Sequence, residues 1–144
     1  MRWSSLLLGA LLVGCSGGTS GSSETEVVAT AYPFAWLAGE IAGPDARVTN
    51  LVKPGAEPHD VELTPQQVAL VKDAAVVLHV KGFQAAVDDA LDGGEQGLDL
   101  GAATEASSSD PHVWLDPVRM QVAAGAIAAR LSSRDPSHAD GYRS

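Results

Sequence analysis

Two of the four histidines in this 144-residue chain stand in similar short contexts. His59 lies in the stretch Pro54–Asp60 and His112 lies in Asp110–Pro117, and a proline directly precedes each histidine. A neutral imidazole binds zinc well and accepts manganese, and a neighbouring proline stiffens the backbone that presents it. If the two loops meet, both rings can bind one divalent ion; the alternative is two unrelated surface histidines.

Several side chains near these histidines have candidate supporting roles. Asp60 or Glu62 could accept a hydrogen bond from the second ring nitrogen of His59, and Glu57 or Asp60 could partly make up for a missing ligand. Trp114 is a large apolar side chain that we expect to anchor the second loop to the body of the domain. These groups make Glu57 and Asp60 the candidates for a supporting shell around the metal.

The other two histidines do not share this context. His79 lies within an apolar run and is predicted to pack in the core or at the end of a strand, whereas His138 lies in a polar stretch and is predicted to be at the surface. The chain has no glycine-rich phosphate loop, nucleophile elbow or His-Glu-x-x-His motif. We therefore expect no enzyme; a metallohydrolase is the minor alternative, and it would need a third ligand and a base such as Glu57 or Glu62.

Composition narrows the class of protein further. Hydrophobic residues make up 45% of the chain and charged residues 19%, as in a globular domain, and the length suits one such domain. The net charge of -9 argues against binding to nucleic acid, whose phosphates carry the same sign. Cys15 is the single cysteine, so an internal disulfide and a cysteine zinc site are both excluded. Metal ligands must then be His, Asp or Glu.

The first residues read as an export signal. An apolar run at Leu6–Val13 is much shorter than the ~20 residues of a membrane-spanning helix. Leu12–Cys15 resembles the lipobox of bacterial lipoproteins, in which the chain is cut before the cysteine and the cysteine is acylated. We expect residues 1–14 to be a signal peptide, Cys15 to be lipidated, and residues 15–25 to form a flexible Gly/Ser tether. The protein would then be anchored by lipid outside the cytoplasmic membrane.

The rest of the chain alternates between buried strands and helices, the pattern of an α/β lobe with a roughly four-stranded parallel sheet flanked by helices. Ligands bind such sheets at the carboxyl ends of the strands, and both histidine loops follow predicted strands. Strands are predicted at 27–31, 48–52, 75–80 and 97–100, and helices at 32–42, 65–73, 83–91 and 117–134.

Both histidine motifs resemble signatures of the zinc- and manganese-binding solute-binding proteins of ABC importers. These are PGAEPHD at Pro54–Asp60 and DPHVWLDP at Asp110–Pro117, and the resemblance covers about residues 26–143. It implies that His59 and His112 bind the metal directly. The stretch Glu57–Asp60 is closer to the zinc-type members, so Zn²⁺ is favoured and Mn²⁺ is the alternative.

Members of that family have two α/β lobes, and the metal lies between them. The resemblance implies that residues 26–144 are the N-terminal lobe, with the second lobe and its ligands absent from this chain. We expect extracytoplasmic metal capture for an importer permease and its ATPase, with half of the site supplied here and a candidate partner chain supplying the second lobe. The alternative is a truncated remnant that folds but does not bind metal tightly.

Overall fold

The computed structural model describes residues 24–106 and 110–144. The predicted signal peptide, the lipidation site at Cys15 and most of the tether lie outside these residues. Thr25, which was assigned to the tether, is the first residue of a strand. Within the two described ranges, no helix is both long enough and apolar enough to cross a membrane.

The chain forms four strands, β1 (Thr25–Ala29), β2 (Ala46–Asn50), β3 (Val76–His79) and β4 (Gly97–Asp99). They form one parallel sheet with the order β2-β1-β3-β4, which confirms the predicted class of fold. β1 pairs with β2 from Thr25 opposite Ala46 to Ala29 opposite Asn50, and with β3 from Val27 opposite Val76.

Five α-helices connect or follow these strands. Their bounds are α1 (Tyr32–Ala42), α2 (Pro65–Asp73), α3 (Ala85–Leu91), α4 (Leu100–Ala103) and α5 (Pro117–Arg134). Two starts are fixed by side-chain caps followed by proline. Thr64 and Gln67 form a capping box at α2, and Asp116 accepts hydrogen bonds from Val118 and Arg119 at α5.

Two clusters of buried side chains lie on the two faces of the sheet. Alternation along β1 directs Val27 and Val28 to opposite clusters. The larger cluster joins the sheet to α1 and α5 through Phe34 and Ile127, and the smaller one joins it to α2 and α3. Helices therefore cover both faces and leave the strand ends open for loops.

One short element was not predicted. The apolar stretch at 97–100 was interpreted as strand alone, but β4 ends at Asp99 and α4 begins at Leu100. The Asp99 carboxylate accepts hydrogen bonds from the backbone N–H groups of Gly101 and Ala102, and this N-cap starts the helix.

A polar cluster closes the end of the lobe where β1 begins. The buried carboxylate of Asp135 accepts hydrogen bonds from Thr25 Oγ1 at 3.2 Å, from Tyr142 Oη at 2.7 Å and from Ser137 Oγ. It also lies 2.7 Å from Nδ1 of His138. The hydrogen bond from Ser137, followed by that from His138, holds the pKa of Asp135 well below its ordinary value. His138 is thus a partner in this cluster and its ring is only half-exposed.

We expect replacement of His138 with alanine to lower the thermal midpoint more at about pH 5 than at about pH 9. The hydrogen bond to Asp135 raises the pKa of His138 above its ordinary 6.5. A group whose pKa is raised on folding contributes its full stabilisation of the fold below its unfolded-state pKa of 6.5. That stabilisation is lost as the pH rises through the folded-state pKa. Calorimetric scans of both proteins at the two pH values test this, and an equal deficit at both would contradict it.

Candidate metal centre

His59 and His112 meet at the end of the sheet where the strands finish. The first loop leaves the carboxyl end of β2, the second follows α4, and the centroids of the two imidazole rings are 5.5 Å apart. The His59 residue is exposed and the His112 side chain is 37% exposed. The structure thus brings together the two histidines that the sequence singled out, at a surface open to an approaching ion.

The aromatic side chains of Phe83 and Trp114 pack against the two imidazole rings. The ring of Phe83 lies edge-on to His59, with 4.5 Å between the centroids, and 6.3 Å from His112. Trp114 contacts the His112 ring at 5.2 Å and also packs against Phe34 at 5.5 Å and Phe83 at 5.7 Å. The prediction that Trp114 anchors the second loop to the core is confirmed. Packing of this kind limits how far either imidazole can swing.

The ring of His112 is oriented by a carboxylate two residues earlier. Oδ1 of Asp110 lies 2.8 Å from Nδ1 of His112 and accepts a hydrogen bond from the His112 backbone N–H at 3.1 Å. These two contacts lower the pKa of Asp110, the backbone hydrogen bond contributing most. With the Nδ1 proton donated to Asp110, Nε2 keeps its lone pair for a metal ion.

The carboxylates beside His59 do not contact its ring in this structure. Oε1 of Glu57 accepts a hydrogen bond at 3.2 Å from the backbone N–H of His59, so it holds the loop rather than the ring. Within the described residues, neither Asp60 nor Glu62 forms a hydrogen bond to the His59 ring. Of the two imidazoles at this site, that of His112 is contacted by a carboxylate, and this carboxylate belongs to Asp110.

The described part of the chain offers two imidazoles to a metal and no fuller set. No group of three or more His, Cys, Asp or Glu side chains there could hold an ion together. Zinc sites in folded proteins normally have three or four protein ligands, so a pair of histidines binds more weakly and leaves the ion accessible.

His79 is separate from this centre, as predicted. It is 8% exposed at the end of β3, and its Nδ1 lies 3.6 Å from Oδ1 of Asp88. Burial lowers the pKa of His79 more than Asp99 and Asp88 raise it. A neutral His79 therefore packs within the lobe.

An α/β lobe with two histidine rings together at the carboxyl ends of its strands is the arrangement of a lobe that could bind a metal ion. The chain belongs to the family described as the periplasmic component A of zinc-uptake complexes, whose profile matches residues 27–144. A solved structure with the same fold is that of the metal-dependent lipoprotein YcdH from Bacillus subtilis. It is 27% identical, has a TM-score of 0.76, and the match covers 83% of this chain and 48% of that one.

Curated relatives carry metals in their names. The zinc-binding lipoprotein AdcA of Streptococcus pneumoniae is 32% identical over 83% of this chain and 29% of its own length. The manganese-binding lipoprotein MntA of Bacillus subtilis is 30% identical over 92% of this chain and 48% of its own. Another relative is named an iron ABC transporter substrate-binding lipoprotein. The chain spans about half, or less, of the length of these relatives.

Proposed function

We propose that this chain captures a divalent transition metal outside the cytoplasmic membrane for delivery to an ABC importer. One observation supports this most strongly: two histidine rings 5.5 Å apart, one of them oriented through Nδ1 by Asp110. In this arrangement both imidazoles can present a ring nitrogen to the same ion. Phe83 and Trp114 restrict the rings beforehand, so binding loses less conformational entropy.

Zinc is the proposed cargo and manganese the alternative. The ligands on offer are imidazole nitrogens, which zinc prefers, whereas manganese favours carboxylate and other oxygen ligands. Relatives are named for zinc, manganese and iron, so membership of the family does not identify the metal. The preference for zinc therefore rests on the two imidazole ligands.

We propose that His59 and His112 form one half of a site that further ligands complete. Those ligands would come from a second lobe that faces the carboxyl ends of the strands. The proposed wider partners are an importer permease, its ATPase and the membrane, through a lipid on Cys15. Since the family consists of binding proteins for transport, the chain is proposed to be a carrier and not an enzyme.

A titration of the full chain with Zn²⁺ against a competing chelator tests this proposal. The comparison is with His59→Ala/His112→Ala and with His138→Ala, a histidine at the opposite end of the sheet. We expect one zinc per chain in the wild type and in His138→Ala, and loss of that binding in the double variant. Equal binding by wild type and double variant would overturn the proposal, because His59 and His112 would then contribute nothing to metal capture.

A further inference from the structure

The side chain of Gln84 ties the first histidine loop to the centre of the sheet. This residue is 2% exposed and precedes α3. Its Nε2 donates one hydrogen bond to the carbonyl oxygen of Thr30 at 3.0 Å and another to the carbonyl oxygen of Pro58 at 2.7 Å. Both protons of the amide are thus used, on two segments that are distant along the chain.

The two carbonyl oxygens belong to segments of different kinds, one in the rigid sheet and one beside the candidate ligand His59. Thr30 directly follows β1 in the middle of the sheet, and its own backbone N–H donates to the carbonyl of Leu78. Pro58 directly precedes His59, and its carbonyl belongs to the peptide group that joins the two residues. Since a peptide group is planar, fixing this oxygen also fixes the direction in which the chain enters His59.

Phe83, the residue before Gln84, contacts the same histidine from another side. Its ring lies 4.5 Å from the His59 ring, centroid to centroid. Two adjacent residues therefore hold both the side chain and the backbone of His59. The otherwise exposed loop gains a rigid support from the lobe beneath it.

The chemistry of the contact requires an amide. A single nitrogen must donate to two carbonyl oxygens, which a glutamine Nε2 can do and an ionised glutamate cannot. A carboxylate of the same shape at position 84 would face the Pro58 and Thr30 oxygens with charge of the same sign. An apolar side chain would leave the buried carbonyl of Thr30 and the part-buried carbonyl of Pro58 without these donors.

We propose that Gln84 is a positioning residue that preorganises His59 for the metal; this inference rests on the proposed function of His59. Gln84 would raise the affinity for the metal by fixing the backbone at His59, without contacting the ion itself. By analogy with other groups that orient ligands, its loss should weaken zinc binding by about 10-fold.

Three variants of the full chain test this role. Gln84→Met removes both donors and keeps a long side chain, and Gln84→Glu keeps the shape. Ser132→Ala is the matched control, because it removes the hydrogen bond that a buried side chain donates to the carbonyl of Ala128 in the distant part of α5. Zinc affinity is measured by chelator competition, and backbone ¹⁵N relaxation of His59 is measured without metal.

We expect faster motion of the His59 amide in both Gln84 variants before any metal is added, and weaker zinc binding by about 10-fold in Gln84→Met and more in Gln84→Glu. Ser132→Ala should match the wild type in both measurements. Wild-type mobility and affinity in Gln84→Met would overturn this inference while the proposed function stands. If His59→Ala/His112→Ala binds zinc as the wild type does, the proposed function fails, and the metal-free relaxation still reports whether Gln84 holds the loop.

Discussion

Replacing Phe34 with alanine is expected to lower the free energy of unfolding by about 3–5 kcal/mol. Phe34 is fully buried in α1 and belongs to the larger core cluster between the sheet and α5. The substitution removes a large apolar side chain and leaves a cavity that rigid neighbours fill only in part. Such a loss is a large fraction of the roughly 5–15 kcal/mol that stabilises a domain.

The same helix provides a control. Trp36 lies two residues along α1 and is 54% exposed, so Trp36→Ala should change stability by no more than about 0.5 kcal/mol. Urea denaturation followed by circular dichroism measures the stability of both variants. In Phe34→Ala the urea concentration at the midpoint should fall, while the dependence of the unfolding free energy on urea concentration stays unchanged. Similar losses in the two variants would contradict the assignment of Phe34 to a tightly packed core.

Replacing Asp110 with alanine is expected to weaken zinc binding by about 10- to 100-fold. The variant removes the acceptor that lies 2.8 Å from Nδ1 of His112, so the ring loses its fixed tautomer and orientation. Asp110→Asn keeps an oxygen acceptor without the charge and should fall between the alanine variant and the wild type. Chelator competition at constant pH gives the three affinities.

Asp60→Ala is the control for this series. Asp60 is next to His59 in the sequence and exposed, but the structure gives it no hydrogen bond to the ring. We expect a clearly smaller loss from Asp60→Ala than from Asp110→Ala. A larger loss would show that a carboxylate beside His59 orients the ligand or binds the ion, as the sequence alone suggested for Asp60.

Most of the fold could be predicted because its signals are local. The sequence Thr64-Pro65-Gln66-Gln67 contains every group of the capping box at α2, and Asp116 with Pro117 marks the start of α5. The predicted strands at 27–31 and 48–52 lie about two residues too late, because apolar burial continues past the paired residues. Ala31, for example, is buried next to α1 although β1 ends at Ala29.

The two histidines of the site were predictable, and a local signal was present for Asp110, but Gln84 was not predictable. Proline-histidine pairs stand out in the sequence, and parallel strands bring the loops after them to one edge. Gln84 was missed because it lies 26 positions from Pro58 and 54 from Thr30, so no local pattern announces its contacts. Asp110 did carry a signal, since an aspartate two residues before a histidine can accept from its backbone N–H.

The hydrogen bond between Thr25 and Asp135 joins residues 110 positions apart, almost the full span of the described chain. Contacts between residues so far apart have a large loop-closure entropy cost, and we therefore expect this one to form late in folding. During synthesis, the hydrogen bond between Thr25 and Asp135 cannot form until the segment after α5 has left the ribosome. An interaction absent from the folding transition state mainly slows unfolding, so we expect loss of the cluster around Asp135 to speed unfolding more than it slows folding.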